Sequence, residues 1–141
     1  MALEAGIKSG ANWFYWIAGL SLINTISALS GSNWRFLLGL GATEIVNSVA
    51  ANLGGAGKIA AVIVDAFIAG SFVFFGVFSN KFQKWAFLVG MVLFGLDGLL
   101  ELLFQSWLSA AFHGYAIYCI YRGYQKLGLL EKLKAFGNVA V

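Results

Sequence analysis

Proline is absent from this chain, cysteine occurs once, and only 11% of the residues are charged. Without proline the chain lacks the usual helix breaker and the stiff extended linker. A single cysteine, Cys119, excludes an intrachain disulfide framework. Ordinary soluble domains are about 25% charged, so the shortage of charge argues against a soluble globular domain, a disordered chain or a nucleic-acid-binding module. Apolar residues fill the space. Of 141 residues 60% are hydrophobic and 18 are glycine, with mean hydropathy +0.83. This composition predicts an all-α, polytopic integral membrane helical bundle.

A spanning helix needs roughly 20 mostly apolar residues. Four stretches meet that description: Trp13–Ser30, Ile59–Phe78, Trp85–Phe104 and the shorter Trp107–Tyr121. A fifth, Phe36–Leu53, is mixed. It carries Thr43, Glu44, Asn47, Ser48 and Asn52 among its apolar residues, and no Lys or Arg after Arg35. An in-plane amphipathic helix usually shows cations on its polar face. Gly41, Glu44, Ser48 and Ala51 instead form a stripe of mostly small residues, the kind that lets helices approach closely in a membrane. The preferred expectation is five membrane segments, this one buried in protein. The rival is four segments plus a re-entrant or in-plane helix.

Connections read as short: Gly31–Asn33, Gly54–Gly57, Ser79–Lys84 and Gln105–Ser106. The chain therefore divides into a transmembrane bundle, 1–123, and a cytoplasmic tail, 124–141. In the tail Leu129, Leu133 and Phe136 suggest the apolar face of a short amphipathic helix. The first segment is read as a retained helix rather than a cleaved signal, because Lys8 is offset by Glu4 and the basic n-region is weak. The pairs Asn24/Trp34 and Asp97/Trp107 share a spacing, and chance similarity between Leu/Gly-rich helices explains it better than an internal repeat does.

Cations set the orientation. With five crossings Arg35, Lys81, Lys84, Arg122, Lys126, Lys132 and Lys134 share one side, against Lys8 and Lys58. With four crossings Lys8 and Arg35 exchange sides, and the ratio stays seven to two. Both arrangements put the C-terminus in the cytoplasm, of a bacterial cytoplasmic membrane by expectation. Trp34, Trp85 and Trp107 sit at segment ends, where amphipathic rings favour the interface. Trp13-Phe-Tyr-Trp16 reads as part of the same belt.

The chemistry lies in ionisable residues inside apolar segments: Asp65, Asp97, His113, Glu44 and Glu101, with Asn24 and Asn47 in support. A charged acid near the centre of a spanning helix costs about 2.5–3.5 kcal/mol on insertion scales, so such residues mark a candidate site by default. Counting about 1.5 Å per residue from the nearest segment end puts Asp65, Asp97 and His113 in one layer, roughly 10–12 Å from the non-cytoplasmic face. Asp65 aligns with Ala61, Ala69 and Gly76, and His113 with Ser106, Ser109 and Ala116. That predicts helix contacts on those faces and leaves Phe72, Phe74, Phe75 and Phe78 for lipid or neighbouring subunits.

Three readings follow. The first is an embedded structural or accessory subunit of a homo- or hetero-oligomeric membrane complex, with the buried polar residues setting helix packing. The second is a proton- or cation-handling channel or transporter using the Asp/His layer. The third is a metal-dependent membrane enzyme. No cofactor is demanded. A divalent metal lacks a sequence-local ligand motif such as HExxH, and haem or chlorin ligation by His113 ranks last because that histidine has no second one to pair with. The expected partners are the bilayer, further copies or other membrane subunits, and no nucleic acid. Gly54-Gly-Ala-Gly-Lys58 lacks the spacing of a phosphate loop and reads as a turn. Cys119 reads as a small buried hydrophobe.

Overall fold

The computed structural model describes residues 2–30, 40–52 and 54–137. The Gly31–Asn33 turn, Trp34, Arg35, the start of the Phe36–Leu53 segment and its last residue lie outside the described residues. Five helices follow in order: α1 Ala2–Leu29, α2 Gly41–Ala51, α3 Gly54–Asn80, α4 Lys84–Leu103 and α5 Trp107–Ala135. The protein is all-α, and α3 and α4 are long and apolar enough to cross a membrane.

Residue contacts fix the helix directions. Thr25 meets Asp65, Phe14 meets Phe72 and Phe75, and Asn12 accepts a hydrogen bond from Asn80, so α1 and α3 are antiparallel. Phe75 meets Trp85 and Phe72 meets Phe94, which makes α3 and α4 antiparallel. Phe87 lies against Tyr124 and Phe94 against His113, so α5 runs back along α4. The result is four long helices, alternating in direction, with α1 packed on both α3 and α5.

This arrangement gives the expected fifth crossing no support. Because α1 and α3 are antiparallel, the chain between them leaves and re-enters at the same end of the bundle. Helix α2 has 11 residues, about 16 Å of length, roughly half the hydrocarbon thickness of a bilayer. Its buried face is also not the predicted stripe. Leu40, Thr43 and Ala50 are buried and Ser48 is exposed, so α2 turns its 40/43/50 face inward. Gly41 of the stripe is buried separately, against α4.

Two helix ends explain how such long elements turn so sharply without glycine. Gln83 N–H donates to the Phe78 carbonyl and Phe82 N–H to that of Ser79, with Phe82 at φ 61°. Ser106 and Gln105 repeat the pattern on Glu101 and Leu102, with Gln105 at φ 58°. Both are Schellman closures, which normally place glycine at the left-handed position. Here a side chain occupies it.

The core is aromatic. Phe14, Phe72, Phe75, Phe87 and Phe94 are all buried, with ring centroids 5.8–6.5 Å apart between neighbours. The expectation that Phe72 and Phe75 face lipid is thereby overturned. They lie on the same helical stripe as Asp65, Ala69 and Gly76, and that stripe faces α1 and α4, while Phe74 is exposed. Glycines admit the closest approaches. A Cβ at Gly123 would stand 2.9 Å from the Gly10 Cα, and one at Gly98 2.9 Å from the His113 Cβ.

The tail helix is continuous with α5. Leu127 and Leu130 are its buried residues, while Leu129 and Phe136 are exposed. Lys84 and Glu131 form an ion pair that ties the start of α4 to the end of α5.

Candidate functional site

Asp97 lies on the buried face of α4, about two turns before its C-terminus. Both carboxylate oxygens point at the start of α2. Gly41 N–H donates to Oδ2 at 2.9 Å, and Ala42 N–H to Oδ1 at 2.8 Å. The first amides of a helix have no partner within it, and Leu40 supplies no side-chain cap. A carboxylate from another helix performs that capping, at the positive end of the helix dipole. Gly41 suits this position because a Cβ there would lie 3.3 Å from Glu101 Oε1 and from Leu100 Cβ.

His113 completes the group from α5. Its Nε2 lies 2.9 Å from Asp97 Oδ2, and its Nδ1 lies 2.8 Å from the Ser109 carbonyl oxygen. A carbonyl only accepts, so Nδ1 carries hydrogen and donates. Nε2 also faces an acceptor, so one further proton lies between imidazole and carboxylate. Phe94 stacks on the imidazole at 4.2 Å between centroids and 19° between planes. The pair is buried, with His113 2% exposed.

Asp65 sits apart, on α3. Thr25 Oγ1 donates to its Oδ2 at 2.8 Å and Asn47 Nδ2 at 3.0 Å. Asn47 Nδ2 also donates to the Thr43 carbonyl, at 2.8 Å. Helix α2 therefore bridges two carboxylates. Its first turn rests on Asp97, and Asn47, six residues later and about 9 Å along the axis, reaches Asp65.

The sequence layer thus resolves into two groups. Asp97 and His113 come together directly. Asp65 is joined to them only through α2. Glu101 is buried beside Gly41, with Glu44 and Ser106 near it. Glu44 and Ser106 also help line an open groove of about 470 Å³ with Ile45, Ser48, Val49 and Phe104. Asn47 is a working member of the network, whereas Asn24 Oδ1 is buried with no hydrogen-bond partner among the described residues. Sequence reasoning placed Ser109 on the His113 face but missed Thr25, the Ser109 carbonyl contact and the α2 backbone. Thr25 was legible in principle, one turn after Ser21 on the face that meets α3. The other contacts are main-chain atoms and leave no trace in residue identity.

Among the described residues no three His, Cys, Asp or Glu side chains converge as metal ligands. No family model, curated protein or solved structure matches this chain. The functional reading therefore rests on geometry and composition.

Proposed function

We propose that this chain is an integral membrane protein with four crossings, serving as an embedded structural or accessory subunit of a homo- or hetero-oligomeric membrane complex. One observation carries the reading: large apolar side chains face outward along α3 and α4 while acidic side chains are buried. Phe67 is 76% exposed and Leu103 77%, with Ile59, Ile63, Val92, Leu96 and Leu99 also outward on α3 and α4, while Asp65 is 0% and Glu101 1% exposed. Large contiguous apolar surface is expelled from water, and ionisable groups in a membrane protein face the bundle interior. Lipid and neighbouring subunits answer the first, and the α2 network answers the second.

The charge distribution supports an orientation. Lys8, Lys81, Lys84, Arg122, Lys126, Lys132 and Lys134 gather at the end holding the start of α1 and the end of α5. Glu44, Asp65, Asp97 and Glu101 lie toward the other. By the positive-inside rule the cationic end is cytoplasmic, with both termini there.

Native mass spectrometry of the chain gently extracted from its own membrane tests the subunit reading. The expected spectrum shows a complex with other polypeptides or a symmetric oligomer. A monomer stripped from membranes by alkaline carbonate overturns the proposal.

A second reading, proton handling, is favoured by the single proton shared between Asp97 and His113. In sealed vesicles that reading demands a proton flux that Asp97→Asn abolishes while the fold survives. The subunit reading expects no such flux from the wild-type chain.

A further inference from the structure

The two buried aspartates are satisfied unequally. Asp97 accepts three hydrogen bonds and faces an imidazole. Asp65 is fully buried, both its donors crowd onto Oδ2, and Oδ1 has no hydrogen-bond partner. No cationic side chain among the described residues stands within salt-bridge distance of it. The nearest along its own helix, Lys58, is exposed and seven residues away, about 10 Å. A buried carboxylate without a counter-charge is among the costliest groups a fold can hold.

The surroundings supply oxygen. Ser21 lies one turn before Thr25 on the same face of α1. Its side chain is 1% exposed, and its Oγ has no hydrogen-bond partner. Asn24 Oδ1, on the same turn, is likewise buried and unpartnered. The Thr25 hydroxyl has one proton but lies near two acceptors, Asp65 Oδ2 at 2.8 Å and the Ser21 carbonyl at 3.2 Å. On α3, Ala61 and Ala69 flank Asp65 one turn to either side, both buried, so α3 itself sets only small side chains next to the carboxylate.

We infer that Asp65 anchors a buried site for a monovalent alkali cation of the sodium class between α1 and α3, with Ser21 and Asn24 oxygens as co-ligands. Hard cations take oxygen ligands from carboxylates, amide carbonyls and hydroxyls. A single positive charge neutralises one carboxylate, whereas a divalent ion would leave a buried excess. A proton would satisfy one oxygen, whereas a cation answers several unpartnered oxygens at once. This site goes beyond the subunit reading and does not depend on which complex the chain enters.

The test is thermal unfolding of the full chain in detergent, with sodium chloride exchanged for choline chloride at constant ionic strength. Binding to the folded state predicts a saturable rise in Tm of about 3–8 °C with sodium. Asp65→Asn keeps a side-chain oxygen for Thr25 and Asn47 and should make the curve flat. Ser21→Ala should move the sodium midpoint about tenfold higher, and it carries the test should Asp65→Asn not fold. Superimposable sodium and choline curves in the wild-type chain overturn the inference. So does a sodium dependence that survives Asp65→Asn, or a Tm that responds to pH but not to sodium, which would assign the site to a proton.

Discussion

Asp97 concentrates more of the structure than any other side chain, because one carboxylate joins α2, α4 and α5. Asparagine is nearly isosteric there, but its amide nitrogen can only donate and meets an α2 N–H in either orientation. Asp97→Asn should therefore destabilise the fold by about 3 kcal/mol, in the range for removing one partner of a buried pair, as read from denaturant or thermal unfolding in detergent. Gln105 offers the opposite case. It is exposed and holds a left-handed φ of 58°, a conformation glycine adopts without a Cβ penalty. Gln105→Gly should stabilise the α4–α5 turn by about 1 kcal/mol, visible as a higher Tm. Neither effect follows from composition. The Gln105–Ser106 break was legible as a dip in hydropathy, but its Schellman geometry was not, since the usual glycine signal is missing.

At the scale of elements, α2 combines polar contacts to Asp97 and Asp65 with the buried side chains of Leu40 and Ala50. It is short, and its N-terminal amides are capped from another helix, so it should open before the long helices do. Hydrogen exchange should show the Gly41 and Ala42 amides protected in the wild-type chain and exchanging faster in Asp97→Asn, with core amides of α3 changed far less. Exchange equally fast in both proteins would sink the capping account. The close crossings give a second prediction. In lipid, helices associate through packing rather than a hydrophobic drive, so a methyl group at Gly123, against Gly10, should cost about 1–3 kcal/mol. Gly128→Ala, where a new Cβ meets nothing within 4 Å, should be neutral or stabilising by up to about 1 kcal/mol. The stripe at Gly41, Glu44, Ser48 and Ala51 was a reasonable guess from spacing. It failed because α2 meets its neighbours through Leu40, Thr43 and Ala50, and periodicity alone does not say which of two plausible faces finds a partner.

For the whole molecule, alternation of four long helices brings both termini to one end, where the cations gather. In the proposed membrane orientation, cysteines introduced at Lys8 and Lys134 in a Cys119→Ser background should react with an impermeant thiol reagent from the same side, and one at Lys58 from the opposite side. Labelling of Lys8 and Lys134 from opposite sides would restore the fifth crossing. The Lys84–Glu131 pair at this end is solvated, so its removal should leave stability nearly unchanged.

Composition and hydropathy by themselves determined that the chain is helical, that the last three long helices are linked by short turns, and that Asp65 and His113 fall on faces turned toward other helices. These are local properties: apolar run length, the 3.6-residue period, and the company of small residues around each polar one. Only the tertiary structure decided that α1 and α3 run antiparallel with α2 between them, that Asp97 rather than Asp65 takes His113, and that Phe72 and Phe75 build the core. Each depends on which helices are neighbours and in which direction they run. The partners of Asp97 lie 16 to 56 positions away, and the deciding ones are backbone amides, which every residue but proline carries alike.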